Sequence, residues 1–214
     1  MAGPLYFDAI ERDQLTALLD ELGPDAPTLL APWTTRDLAS HLVQREHDPL
    51  AAPGLVIPGA WGRFAEQRRR ALAQREFAQL VTMIRSGPPR GFFRLKWVRR
   101  LPNLNEFFVH HEDVRRANGL GPRTNSAAME AALWRNVTFV PWFLTRRLRD
   151  TGLEIEWPDA GKIVRVRRGD PVARVVGLPS ELLLYLFGRG QVAQIEVTGH
   201  PDAVRTVERA QFGM

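Results

Sequence analysis

The spacing of apolar residues changes near residue 151, and this change constrains the fold more than any other feature of the chain. Before it, apolar residues recur at steps of three and four, as in helices with one buried face. After it, they alternate with polar residues, as around Val164 and Val166, and such alternation is typical of strands. The sequence therefore predicts an α+β fold, with a helical domain at residues 1–150 and a small mixed α/β domain at residues 151–214.

Glycine, proline and capping residues divide the first domain into separate helices. The predicted helices lie at about residues 7–22, 34–46, 61–85, 103–118 and 126–149. Thr34 and Asp37 form a capping-box-like start for the second helix. Pro141 lies inside the last range and is expected to kink or divide that helix. In the second domain, strands are predicted at about 153–157, 163–167, 172–176 and 194–198, with short helices at about 180–186 and 201–209.

The chain contains no cysteine, which excludes a disulfide framework, a thiolate metal ligand and a cysteine nucleophile of its own. If thiol chemistry takes place, the sulfur must arrive on a cofactor.

The longest apolar run, Leu182–Phe187, is far shorter than the roughly 20 residues that cross a bilayer. The first residues also lack the basic and apolar pattern of a secretory signal. We therefore expect a cytoplasmic protein with no membrane partner.

Arginine supplies nearly all of the positive charge in a chain of net charge +5, since Lys96 and Lys162 are its only lysines. Basic stretches such as residues 90–100 (RGFFRLKWVRR) are compatible with nucleic-acid binding. However, GC-rich codons also produce an arginine-rich, lysine-poor composition, and acidic residues are interleaved through most of the chain. Because there is no recognisable binding motif, we expect no specific nucleic-acid partner. The oligomeric state is unknown, because no sequence feature indicates one.

Three residues form a candidate metal site. Glu106 and His110 are four positions apart in a predicted helix, so their side chains point in nearly the same direction, one turn apart. The three residues between them are apolar, so this helix is packed on much of its circumference. A carboxylate on such a surface needs a partner, and a metal is one such partner. His41, beside the apolar face of the second helix, offers a third ligand.

Two imidazoles and one carboxylate suit zinc with an open coordination position, and they also suit ferrous iron. The spacing alone leaves other interpretations open, namely an exposed ion pair or a core histidine bonded to a backbone carbonyl. Asp113 is expected either to accept a hydrogen bond from a ligand histidine or to pair with Arg115 or Arg116. His111 is expected to face solvent or to contact a ligand from outside, because His110 occupies the inward direction.

Two segments of the chain, residues 32–46 (PWTTRDLASHLVQRE) and 105–117 (NEFFVHHEDVRRA), carry a resemblance to a known family. They resemble the signature segments of the mycothiol-dependent maleylpyruvate isomerase family, a branch of the DinB-like metal-binding superfamily. In that family a W-x-x-x-D-L-x-x-H-L segment offers a histidine, here His41, and an E-x-x-x-H segment offers a glutamate and a histidine, here Glu106 and His110. The resemblance implies an N-terminal DinB-like four-helix bundle, a divalent metal and a low-molecular-weight thiol cofactor.

The C-terminal part also resembles that family. Residues 178–189 (LPSELLLYLFGR), followed by 195–204 (IEVTGHPDAV), are similar to its small C-terminal domain. An arginine of that domain helps the active site, and Arg189 is the matching residue, implied to bind an anionic group of the substrate or cofactor. Residues 51–103 are expected to shape the substrate pocket, and they resemble nothing that would identify the substrate.

The resemblance and the residues together predict a metal-dependent enzyme. It would use mycothiol or a similar thiol as the nucleophile for isomerisation or sulfur transfer on a small anionic substrate. Zinc is the first choice of metal, with iron, nickel or manganese as alternatives. A site with two neutral ligands and one anionic ligand stays positive and would lower the pKa of a bound thiol or water. Two other functions stay open: a non-catalytic, metal-containing protein that binds a small ligand, and a hydrolase that uses metal-activated water.

Overall fold

A computed structural model describes residues 6–48, 50–51, 59–89, 92–139, 144–145, 148, 150–210 and 212–213 of the chain. It has two compact units, Met1–Pro122 and Arg123–Met214, and confirms the predicted α+β class. The first unit contains α1 (Phe7–Leu22), α2 (Thr35–His47), α3 (Ala60–Ala73), α4 (Phe77–Ser86) and α5 (Leu104–Ala117). The second contains α6 (Ala127–Phe139), β1 (Gly152–Trp157), β2 (Lys162–Arg167), β3 (Val172–Val176), α7 (Pro179–Leu186), β4 (Glu196–Gly199) and α8 (Pro201–Arg209).

Helices α1, α2, α4 and α5 of the first unit share one hydrophobic core. α1 packs against α4 and α5, and α2 packs against α4 and also against α3, which is not one of these four. Each helix has apolar residues at three- and four-residue steps, so that one face of it is buried. The core includes two residues from each of these helices: Leu15, Leu19, Leu38, Leu42, Leu80, Ile84, Phe107 and Val114.

Residues 61–85, predicted as a single helix, instead form α3 and α4 with a break between them. Arg36 of α2 stabilises this break between α3 and α4. Its Nη1 donates to the backbone oxygens of Ala73 and Arg75, at 3.2 and 2.9 Å. The last carbonyl groups of a helix have no partner within the helix, so a donor from a neighbouring helix stabilises an ending there.

The helices that carry the candidate ligands lie close to their predicted ranges. The backbone N–H of Thr34 donates to Asp37 Oδ2 at 3.1 Å, and this completes the predicted capping box at the start of α2. Gly119 follows α5 with a φ of 75°, a conformation that glycine adopts without strain. The backbone N–H of Leu29 donates to the carbonyl of Asp113 at 3.1 Å. This bond attaches the loop before α2 to the helix that carries two of the candidate ligands.

The second unit is built on a four-stranded sheet in the order β2-β1-β3-β4. β1 pairs antiparallel with β2 and parallel with β3, and β3 pairs antiparallel with β4. α6 packs against α7, and α8 packs against β3 and β4. Leu153, Ile155, Ala173 and Val175 of the two central strands are fully buried, so that alternate residues of each strand face the core.

α6 lies in the second compact unit, although the sequence pattern places this helix in the domain at residues 1–150. Compactness does not show which parts of the chain fold independently. The domain boundary at residue 150 therefore stays a prediction. The expected kink at Pro141 lies outside the described residues. Within the described part of the chain, no helix combines the length and the apolar character needed to cross a membrane.

Candidate metal centre

Helices α2 and α5 bring the three predicted ligand residues together. His41 Nε2 lies 3.0 Å from Glu106 Oε1, and His110 Nε2 lies 3.3 Å from the same oxygen. One ligand atom from each residue lies within 4.8 Å of the other two. Across the residues that the structure describes, no other group of three or more histidine, aspartate and glutamate side chains has this arrangement. The geometry therefore joins an i, i+4 pair on one helix to a single histidine on another.

The three side chains are mostly buried but retain a solvent-accessible fraction. This fraction is 16% for His41, 18% for Glu106 and 11% for His110. The ring of Trp33 lies 5.5 Å from the ring of His41, which in turn lies 5.3 Å from the ring of His110. The site thus has a tryptophan ring beside it, and each of the three side chains is partly accessible to solvent.

Asp113 fixes the orientation of His110. Its Oδ2 lies 2.9 Å from His110 Nδ1, and the Asp113 side chain is fully buried. Because Nδ1 is engaged in this way, Nε2 is the nitrogen that faces the site. The predicted hydrogen bond is therefore confirmed, while Arg115 and Arg116 both pair with Glu112. Histidines that bind metals in proteins commonly have such a carboxylate behind them.

Arg45, one turn beyond His41 on α2, is a residue of the site that the sequence analysis missed. Its Nε lies 3.5 Å from Glu106 Oε2. Its Nη1 donates to Asn103 Oδ1 at 3.0 Å, and its guanidinium lies over the ring of Phe93, 4.7 Å from the centroid. The four-residue spacing from His41 was the available signal, since residues so spaced lie on one helix face.

Burial and charge shift the pKa values of the three residues in different directions. Burial lowers the pKa of His41, although its bond to Glu106 opposes this shift. Burial would raise the pKa of Glu106, but the charge of Arg45 and the bonds to both histidines hold it well below its ordinary value. Burial would lower the pKa of His110, but the bonds to Asp113 and Glu106 outweigh it and raise that pKa to about 9. Without a metal, the site at neutral pH therefore combines an ionised glutamate with a protonated His110.

His111 does not face solvent, which corrects one of the two expectations for this residue. Its side chain is buried, and its Nδ1 lies 2.9 Å from Glu11 Oε2 of α1. Consecutive residues of a helix point about 100° apart around its axis. His110 therefore meets His41 of α2, while His111 meets α1 on another side of α5.

Arg189 lies in the second compact unit, shortly after α7. Its backbone N–H donates to the carbonyl of Leu184 at 2.9 Å, and its Nη1 donates to the carbonyl of Phe187. These bonds fix its local position at the end of the helix. The role implied for Arg189 in binding an anionic group stays a prediction.

No protein-family model and no curated protein matches this chain. Two solved structures are similar to it. A crystal structure of a histidine-to-alanine variant of the mycothiol-dependent maleylpyruvate isomerase has a TM-score of 0.56 and 13% sequence identity, with 91% of each chain covered. A second crystal structure of that isomerase has a TM-score of 0.49 and 15% identity, again with 91% of each chain covered. The first comparison shows a shared fold, and it confirms the predicted resemblance at that level.

Proposed function

We propose that this chain is a metal-dependent enzyme that uses mycothiol or a similar thiol to isomerise, or transfer sulfur to, a small anionic substrate in the cytoplasm. The observation that carries the proposal is the convergence of His41, Glu106 and His110 within 4.8 Å. These residues come from the two segments that resemble the isomerase family, and the chain has the fold of a mycothiol-dependent isomerase.

The donor atoms at this site fit a divalent ion. His41 and His110 would bind it through Nε2 and Glu106 through Oε1, because these atoms face one another. Imidazole and carboxylate ligands suit zinc, and iron, nickel and manganese accept them as well. When bound, such an ion would lower the pKa of a thiol beside it and so favour the nucleophilic thiolate.

The packing of the first unit supports a DinB-like four-helix bundle as the scaffold of this site. α1, α2, α4 and α5 contribute to one core, and α3 packs against α2. Candidate ligands from α2 and α5 then lie inside one packed unit. Sites built in this way, from side chains on facing helices, are common in helix bundles.

Two observations favour an enzyme over a protein in which the metal has only a structural role. Structural zinc sites usually have four protein ligands, whereas three converge here among the described residues, and three ligands would leave a four-coordinate ion one position for a small molecule. The three side chains are also partly accessible to solvent. Because the chain has no cysteine, a sulfur nucleophile must come from a separate thiol.

Calorimetry with mycothiol, or with a simple thiol as a surrogate, tests the proposal. We expect the thiol to bind the zinc-loaded protein and not the metal-free protein, with an affinity that rises with pH until the thiol is ionised. Arg189→Ala should weaken binding about ten- to a hundredfold at unchanged zinc content, because a charge-assisted bidentate contact is worth roughly 1.5–3 kcal/mol.

Arg205→Ala is a suitable control for this experiment. Arg205 belongs to the same unit as Arg189, but it is exposed and paired with Asp202, so its removal should leave the thiol affinity unchanged. If zinc-loaded protein binds neither mycothiol nor a simple thiol, the thiol-dependent proposal is wrong. Hydrolysis by metal-activated water would then explain the site better.

Asp113→Asn is expected to lower the affinity for zinc about ten- to a hundredfold, since carboxylates behind ligand histidines typically contribute that much. The physical reason is that Asp113 holds His110 with Nε2 towards the site. Competition with a chromogenic chelator would measure the change. Glu112→Gln is the matched control, because Glu112 is equally buried on the same helix but pairs with arginines. The two variants should differ in zinc affinity, and equal affinities would argue against a role for Asp113 in the site.

A further inference from the structure

We propose that Arg45 is a positioning residue that restricts Glu106 to a single ligand oxygen and so keeps one coordination position free for the thiol. This inference rests on the proposed function, because it assumes that His41, Glu106 and His110 bind a divalent ion. It goes beyond that proposal because it assigns a role to a residue outside the ligand set.

The two oxygens of Glu106 have different surroundings. Oε1 faces His41 Nε2 at 3.0 Å and His110 Nε2 at 3.3 Å. Oε2 lies 3.5 Å from Nε of Arg45. An ion held between the two imidazoles would therefore meet Oε1 first, while Oε2 faces a positive charge.

Arg45 is held in its place by contacts on more than one side. Its Nη1 donates to Asn103 Oδ1 at 3.0 Å, and its guanidinium covers one face of the Phe93 ring. Asn103 is itself buried and donates through Nδ2 to the carbonyl of Phe93 at 3.1 Å. Because the Arg45 side chain is only 10% exposed, rotation of the guanidinium away from Glu106 would break these buried contacts.

The position of Arg45 decides how many coordination positions Glu106 can fill. A carboxylate that binds an ion through both oxygens takes two positions, and one that binds through a single oxygen takes one. An ion close to both oxygens would approach the guanidinium, and like charges repel strongly where water is largely excluded. Glu106 then contributes Oε1 alone, so that two imidazoles and one oxygen leave a four-coordinate ion with one position open.

Cobalt(II) alone, added to metal-free protein, is the probe for this inference. Four-coordinate cobalt(II) absorbs visible light much more strongly than five- or six-coordinate cobalt(II). We expect strong absorption for the unsubstituted protein and weaker absorption for Arg45→Met, in which the second oxygen of Glu106 can bind. Arg45→Met should also bind cobalt about tenfold more tightly or better, because a repelling charge has been removed. A purely structural role predicts the opposite sign, since a disturbed site binds metal less tightly.

Two further variants separate charge and geometry from general stability. Arg45→Lys keeps the positive charge but loses the planar guanidinium. Its visible absorption and its cobalt affinity should therefore lie between those of Arg45→Met and those of the unsubstituted protein, and closer to the latter. Arg12→Met is the matched control. Arg12 is similarly buried in the same unit but pairs with Glu46, so its replacement should lower stability and leave the cobalt spectrum unchanged.

The outcomes distinguish this inference from the proposed function. Equal absorption and equal cobalt affinity in the unsubstituted protein and Arg45→Met would overturn the role of Arg45 and leave the metal site intact. No cobalt binding by the unsubstituted protein would overturn both. If Arg45→Met does not fold, Asn103→Ala removes the anchor of the guanidinium instead. It should show the same loss of absorption to a smaller extent, and an unchanged spectrum would contradict the inference.

Discussion

Alanine in place of His41 or of His110 is expected to reduce the zinc content of the purified protein from about one ion per chain to background, because two protein ligands rarely retain zinc. Each histidine directs Nε2 at the same oxygen of Glu106, so neither can replace the other. Elemental analysis after dialysis measures this change directly. Full retention of zinc by both variants would show that the site lies elsewhere.

Thermal unfolding gives a second measure of the same loss. An ion that binds only the folded state stabilises it by RT ln(1 + [L]/Kd), about 4 kcal/mol when the free ion is at a thousand times its Kd. Added zinc should therefore raise the melting temperature of the unsubstituted protein but not that of His110→Ala. His111→Ala is the matched control, since His111 is adjacent and buried but bonded to Glu11. We expect this control to respond to zinc as the unsubstituted protein does.

Sequence patterns predicted those structural features that depend on residues close to one another in the sequence. The capping box of Thr34 and Asp37 and the shared direction of Glu106 and His110 follow from helix geometry, and the structure has both. Strands were predicted at the positions of β1 and β3, and alternate residues of both strands are buried, as in strands with one face on a core. The pairing of His41 with α5 was predicted from its place beside an apolar helix face and from resemblance to a family, since no short-range spacing links the two helices.

Contacts between residues distant in sequence account for what the sequence patterns did not predict. The break between α3 and α4 is stabilised by Arg36, and His111 is buried against Glu11, a hundred positions away. The spacing of Arg45 from His41 placed it on the same helix face, but its contacts with Glu106 and Asn103 involve a distant part of the chain. Apolar periodicity shows which face of a helix is buried, but it does not show which polar group of a neighbouring helix contacts that face.

Zinc affinity is expected to rise with pH, about tenfold per unit, as long as His110 is protonated in the metal-free protein. The pKa of His110 is raised to about 9, so binding of an ion at neutral pH must displace its proton. The pKa of His41 is lowered and that of Glu106 is well below its ordinary value, so these two residues hold few protons at neutral pH. About one proton should therefore leave the three ligands for each ion bound.

The stability of the metal-free protein should change in the opposite direction. His110 has a higher pKa in the folded chain than the ordinary value of 6.5, so its proton stabilises the fold. This contribution is complete below about pH 6.5 and is lost as the pH rises through about 9. The free energy of unfolding should fall by a few kcal/mol over this window, since one pKa unit corresponds to about 1.4 kcal/mol.

Two measurements test these pH dependences. Chelator competition between about pH 6.5 and 8 measures how zinc affinity changes with pH. Denaturant unfolding of the metal-free protein up to about pH 9 measures how the free energy of unfolding changes with pH. Asp113→Asn provides the diagnostic comparison, because the bond to Asp113 is the largest of the interactions that raise the pKa of His110. This variant should lose less stability as the pH rises, and its zinc affinity should depend less steeply on pH. A zinc affinity that stays constant across this window in the unsubstituted protein would mean that no proton competes with the ion, so that His110 either is unprotonated in the metal-free protein or is not a ligand.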